Sequence, residues 1–211
     1  MPYILVFGDS IVYGAWDKNG GWTQILREWI DEKNLEWNED FYYLVYNLGV
    51  FGDTTEDLLE RFDSEVKQRQ GEEKFIFIFA VGINDSEYIH SKKGLNIPEE
   101  KFQKNLVNLI KKAKKYSSTI LFVGPNPVDE SKVNPMPWAS DKSYINKNVE
   151  RYNKLIKKTC KENIVHFIEV FSEFRKTDYR AFLEDGAHPN TKGHRLIYRI
   201  VRKYLKKNNV L

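Results

Sequence analysis

Residues 6–17 read VFGDSIVYGAWD. An apolar run over 3–7 breaks off at Gly8-Asp9-Ser10, so a hydroxyl sits just beyond the end of a strand-like segment. Gly-Asp-Ser after a strand is ordinary turn chemistry, and on its own Ser10 reads as a turn or helix-cap residue. Whether it is also a nucleophile depends on what the other strand ends bring to it.

Similar apolar runs recur at 42–48 (YYLVYNL), 75–81 (FIFIFAV), 119–124 (TILFVG) and 164–170 (IVHFIEV). Several are nearly continuous in hydrophobicity, as expected of strands buried on both faces in a parallel sheet. The intervening stretches have helical spacing: 22–34, 54–69, 98–116, 143–162 and 191–207. The first sets Trp22, Ile25, Leu26, Trp29 and Ile30 on one side; the second opens on Thr54 or Thr55 as a cap, with acids in its first turn. Five strands alternating with helices predict a doubly wound α/β sheet in a single domain over 1–211.

Two long connections, 83–97 and 124–142, follow strands and therefore lie at the C-terminal edge of the sheet, where such folds bind ligands. The second carries Pro125, Pro127, Pro135 and Pro137 together with Met136 and Trp138. It reads either as a substrate-facing loop, with Met136 and Trp138 walling a small acyl pocket, or as a plain surface loop whose exposed Met-Trp pair is packing filler or a contact to another subunit.

The composition excludes several classes. Of 211 residues, 33 are basic and 30 acidic, a net charge of +3 that gives no argument for a nucleic-acid partner. The basic stretches KKAKK (111–115) and YRIVRKYLKK (198–207) fit solvated helix faces. Cys160 is the only cysteine, so no intrachain disulfide forms. The longest apolar run, FIFIFAVG, is too short for membrane insertion, and with no signal peptide visible the sequence reads as cytoplasmic. Aromatic residues make up 14%, serving either the core or a homo-oligomer interface.

Chemistry gathers at the other strand ends. A serine hydroxyl needs an adjacent base, and that base needs a third group to fix its tautomer. DGAHP (185–189) supplies Asp185 and His188 on one short loop, where the carboxylate can turn back onto Nδ1–H and leave Nε2 for Ser10. The plainer alternative is an imidazole that caps the last helix. His90, His166 and His194 read as structural, with no acid at useful sequence spacing. No histidine pair has metal-ligand spacing, so no metal is expected. Acyl transfer further needs donors for a developing oxyanion. Gly52 in NLGVFGDTT (47–55) and Asn84 in VGINDS (81–86) are placed to provide them, although each is also a common turn residue.

FGDSIVYG, NLGVFGDTT, GIND and DGAHPNTKGH together resemble, in order, the four signature blocks of the GDSL-type or SGNH hydrolases. The resemblance spans residues 7–194. It implies Ser10 as nucleophile and backbone oxyanion donor, Gly52 and Asn84 as further oxyanion donors, His188 as general base and Asp185 as its orienting partner. It also implies a three-layer α/β/α flavodoxin-like fold with a five-stranded parallel sheet and no cofactor. Two positions depart from the pattern: Ile11 replaces the motif leucine, and Ile83 stands where many members have a smaller residue. GDSIV is not a G-x-S-x-G elbow, and no G-x-G-x-x-G or G-x-x-x-x-G-K-[ST] loop occurs.

The expected activity is two-step acyl transfer from a small-molecule ester, led by short acyl groups such as O-acetyl on carbohydrate. A thioesterase or lysophospholipase is the alternative. An inactive α/β binding domain would have lost a member of the Ser-His-Asp set, and all three are present.

Overall fold

A computed structural model of the chain describes residues 2–36, 42–69 and 74–211. Five strands form one sheet: β1 (Tyr3–Gly8), β2 (Leu44–Gly49), β3 (Phe75–Ala80), β4 (Thr119–Val123) and β5 (His166–Ile168). Their order is β2-β1-β3-β4-β5 and every pairing is parallel. The doubly wound sheet read from the sequence is therefore present, in the flavodoxin-like order that reverses direction between β1 and β3. Ligands bind above the strand C-termini at such a reversal, and Ser10 follows β1 directly.

The near-continuous apolar strands are explained by two buried faces. Ile4 and Val6 of β1, with Ile76 and Ile78 of β3, face α1 (Gly21–Asn34) and α5 (Thr191–Lys207), meeting Trp22, Leu26, Ile197 and Val201. Leu5, Phe7, Phe75, Phe77 and Phe79 face the other layer: α2 (Thr55–Lys67), α3 (Glu99–Ala113) and α4 (Asn146–Glu162). There the rings of Phe7, Phe62, Phe77, Phe79 and Phe122 pack at centroid separations of 5.0–6.4 Å, within the range for favourable ring contacts.

Several boundaries move from the expected ones. The stretch expected as strand over 164–170 pairs only over His166–Ile168. Ile164 sits at φ 55°, exposed, just after the C-cap of α4, and Val170 already caps a short helix, Phe171–Arg175. The fourth helix begins at Asn146 rather than 143, because Lys142–Ser143 pairs with Tyr88–Ile89. Tyr88–Ile89 also pairs with Gly94–Leu95, so a small antiparallel sheet ties loop 83–97 to loop 124–142. Strands of two residues leave no periodicity to read. Met136 and Trp138 are not an exposed pair: Met136 is buried in the core, and Trp138 is half exposed. No helix among the described residues is long and apolar enough to cross a membrane.

Candidate active site

The break at Gly8 turns the chain straight from β1 into a one-turn helix, Ser10–Tyr13. Asp9, not Ser10, is its cap: the Asp9 carboxylate accepts the Ile11 N–H at 2.9 Å. Ser10 is thus the first helical residue, and its N–H has no partner among the described residues. Asp9 is buried, and burial raises its carboxyl pKa to about 7 against the Ile11 N–H and His188, which lower it.

Asp185 and His188 reach Ser10 from a tight loop closed by the Glu184 N–H to His188 carbonyl bond of 2.9 Å. Loop 124–142 braces it: Asn126 Nδ2 donates to the Ala187 carbonyl at 3.0 Å, and the Asp129 N–H to that of Gly186 at 2.7 Å. Gly186 has φ 98°, and a Cβ there would lie 2.7 Å from that of Lys132, so both backbone and space call for glycine. The Asp185 Oδ1 accepts the Ala187 and His188 backbone N–H groups, each at 2.9 Å, while Oδ2 lies 2.7 Å from His188 Nδ1. Burial alone would raise the Asp185 pKa, but these hydrogen bonds outweigh it and hold the carboxyl well below the usual carboxylate range. An ionised Asp185 can only accept, so the ring proton belongs on Nδ1. Nε2 is then the acceptor for the Ser10 hydroxyl at 2.9 Å.

Gly52 and Asn84 come from the strands on either side of β1. Gly52 lies between β2 and the Thr54 cap of α2 at φ 79°, where an L side chain is strained, and the space a Cβ would fill is open. The Asn84 amide Nδ2 donates to the Asp53 carbonyl at 3.0 Å, and its Oδ1 accepts from Tyr144 at 2.6 Å. Burial raises the Tyr144 phenol well above its ordinary value, so its hydroxyl stays a donor and fixes which way the Asn84 amide faces. One Nδ2 hydrogen is taken by Asp53, and the other remains available. Asp85 continues the link, accepting the Thr55 N–H at 3.0 Å and the Thr55 hydroxyl at 2.5 Å. The end of β3 is thereby sewn to the segment that carries Gly52.

All five residues singled out in the sequence lie at the C-terminal edge of β1, β2 and β3 or on the loop that faces it. The other histidines take structural positions. His194 is buried, accepting the Trp22 N–H on Nδ1 at 3.3 Å with Nε2 3.4 Å from the Ala15 carbonyl. His90 pairs with Ser143 and His166 with Tyr204. The sequence reading missed Tyr144, Arg61 and Trp16. The Arg61 guanidinium donates to the carbonyls of Gly8 and Leu48 and to Asp53, holding the ends of β1 and β2 together. Half-exposed rings border the site. Trp16 and Trp138 lie 5.8 and 6.2 Å from the His188 ring, and Phe51 lies 6.1 Å from Trp16. Among the described residues, no group of three or more His, Cys, Asp or Glu side chains could hold a metal ion.

The sequence model of the GDSL-like Lipase/Acylhydrolase family matches residues 6–196. The uncharacterized protein YpmR of Bacillus subtilis (strain 168) is 28% identical over 216 residues, covering 98% of this chain and 82% of its own. A lipase/acylhydrolase from Enterococcus faecalis shares the fold at TM-score 0.76 and 21% identity, covering 99% of this chain and 97% of its own. Axe2, an acetylxylan esterase from Geobacillus stearothermophilus, does so at TM-score 0.70 and 19% identity, over 96% of this chain and 92% of its own.

Proposed function

The chain belongs to the GDSL-like lipase/acylhydrolase family, and from that premise we propose that it is a serine hydrolase of short-acyl carboxylic esters, acting as one domain over 1–211. The observation that carries this is the unbroken relay from Ser10 Oγ to His188 Nε2 at 2.9 Å and from His188 Nδ1 to Asp185 Oδ2 at 2.7 Å. In the first step Ser10 Oγ attacks the ester carbonyl carbon while its proton passes to His188 Nε2. The oxyanion so formed is met by N–H groups of Ser10, Gly52 and Asn84. Collapse breaks the bond to the alcohol oxygen, which takes the proton from Nε2, leaving an acyl-serine. Water, deprotonated by the same nitrogen, then attacks the acyl carbon, and Ser10 regains its proton as the acid departs. Asp185 stays ionised throughout, steadying the imidazolium that forms in each half.

The short-acyl reading draws on loop 124–142, which buries Met136 in the core and brings the half-exposed Trp138 to 6.2 Å from the His188 ring. The fold shared with Axe2 adds acetylated sugars to the esters worth testing. Hydrolysis of p-nitrophenyl esters from acetyl to palmitoyl, with wild type beside Ser10→Ala, tests both parts. Activity should be confined to the short chains and fall by about 10⁴-fold or more in the variant. A long-chain preference would replace the short-acyl reading with a lipid-directed one, and activity surviving in Ser10→Ala would remove Ser10 as nucleophile.

A further inference from the structure

Trp16 is 59% exposed, yet its backbone sits at φ 63°, the left-handed region that a bulky residue rarely adopts. Packing does not explain that conformation, since an exposed ring gains little from it. Such strain persists only where the surroundings over-determine it, and it gathers at functional sites. Both neighbours of Trp16 are tied down. The Ala15 carbonyl lies 3.4 Å from His194 Nε2, and burial lowers the His194 pKa, favouring the neutral ring. With Nδ1 accepting from Trp22, the proton is on Nε2 and the ring donates to Ala15. The Asp17 carboxylate accepts the Thr191 hydroxyl at 2.7 Å and the Gly21 N–H at 3.2 Å. Segment 14–20 is thus fastened to the starts of α1 and α5, and Trp16 stands where it is held.

What it reaches is Asp185. The indole Nε1–H donates to Oδ2 at 2.8 Å, the oxygen that also accepts from His188 Nδ1. The ring meets the imidazole edge-on, with centroids 5.8 Å apart and planes at 80°. With Ala187 N and His188 N on Oδ1, the carboxylate accepts four hydrogen bonds from the described residues, and Trp16 supplies the one that comes from outside the 185–188 loop.

We propose that Trp16 is a positioning residue for the Asp185–His188 pair, its indole N–H fixing the plane of the carboxylate and moderating its basicity towards the imidazole. This rests on the reading of Ser10, His188 and Asp185 given above. The Asp185 side chain can turn about its Cβ–Cγ bond, and a donor on each side of Oδ2 removes that freedom. Without the indole N–H, Oδ2 gives its full charge to the Nδ1 proton, which favours the imidazolium and leaves less Nε2 free to take the Ser10 proton near neutrality.

The test pairs Trp16→Phe, which keeps a ring and loses the N–H, with Trp16→Ala, each checked by thermal unfolding. On p-nitrophenyl acetate, Trp16→Phe should lower kcat roughly tenfold with KM within about twofold. The pH at which kcat/KM is half-maximal on the acid side should rise by about half a unit. The NMR signal of the His188 Nδ1 proton should move between wild type and Trp16→Phe whether or not any ester is turned over. An unmoved signal and pH profile overturn the proposal. So does a change in KM alone, which would make Trp16 a substrate contact. Ser10→Ala separates the two readings: if it retains activity the nucleophile assignment fails, while the NMR comparison still decides whether Trp16 acts on His188.

Discussion

On one side of Ser10, Asn84, Asp85, Ser86 and Glu87 are each at most 5% exposed, and every one of them has a hydrogen-bond partner. The aromatic residues bordering the site differ: Tyr13, Trp16, Phe51 and Trp138 leave 50–59% of their surfaces in water. The polar side is built inward. Tyr144 and the Asp53 carbonyl aim the Asn84 amide, and Asp85 ties that aim to the first residue of α2. A donor that must face a charge appearing only in the transition state gains from being fixed beforehand, since nothing then reorganises during the reaction. The aromatic side is built outward: Tyr13 and Trp16 meet Phe51 at 4.9 and 6.1 Å, Trp16 and Trp138 meet the His188 ring at 5.8 and 6.2 Å, and about half of each aromatic residue's surface faces solvent. Such a surface suits the part of an ester that varies from substrate to substrate. The two sides should therefore fail differently when cut.

Asn84→Ala is the most severe cut short of Ser10 itself. If Asn84 is an oxyanion donor as proposed, kcat on p-nitrophenyl acetate should fall by roughly 10²–10³-fold with little change in KM. The substitution also strands the Tyr144 hydroxyl and the Asp53 carbonyl, so stability should drop by about 1–3 kcal/mol in denaturant unfolding. A fall in kcat below about fivefold would show that the buried network serves stability alone.

The buried side also carries an ionisation cost. Burial raises Asp9 and Asp85 to about 7 in the folded chain, against an ordinary value of 3.8. A carboxyl raised on folding contributes stability that is complete below its unfolded pKa and is lost as pH climbs through the folded one. Between pH 4 and 8 both groups should therefore make the native state progressively less stable. Asp185 has the opposite sign: its pKa is lowered, so its contribution is present above the unfolded value and lost on acidification. Asp9→Asn keeps an oxygen for the Ile11 N–H and deletes one titration. The fall in Tm from pH 5 to pH 8 should be several degrees smaller in this variant than in wild type, an effect worth at most about 3 kcal/mol over that window. Equal falls in the two proteins would mean that Asp9 ionises freely in the folded state.

The same contrast explains what could be read from the chain. The sheet was legible because a strand buried on both faces writes itself as a run such as FIFIFAV, and the amphipathic helices between runs left their own period. Ser10, Gly52, Asn84, Asp185 and His188 stood out because each lies in a short turn block just beyond or facing a strand end. Tyr144 and Arg61 did not. They act from 60 and 53 positions away in sequence, on Asn84 and Gly8, and nothing local to either marks a distant partner. Trp16 lay within the opening stretch, six residues after Ser10, but its indole reaches 169 positions along the chain to Asp185. A left-handed backbone at a tryptophan cannot be seen in a string of letters. His194 was read correctly as structural, but its partners, Trp22 and Ala15, were hidden likewise, since they come from the other end of the chain.

The mildest cut falls on the aromatic side. Trp138 sits in the proline-bearing loop, half exposed, with its ring 6.2 Å from that of His188 and tilted by 44°. Replacing it with alanine empties no interior space and strands no buried polar group, so Tm should stay within a degree or two. The hydrogen bonds that link Ser10, His188 and Asp185 do not pass through it. Its loss should appear in binding: KM raised by roughly two- to fivefold with kcat within about twofold, more for an ester with a ring-shaped alcohol such as an acetylated sugar than for ethyl acetate. That dependence on the alcohol is the sharper reading, because a ring lost from an outward surface should matter in proportion to the flat area the substrate lays against it. A fall in kcat comparable to that of Asn84→Ala would place Trp138 with the fixed machinery, and the division of the site into an aimed side and an open side would fail.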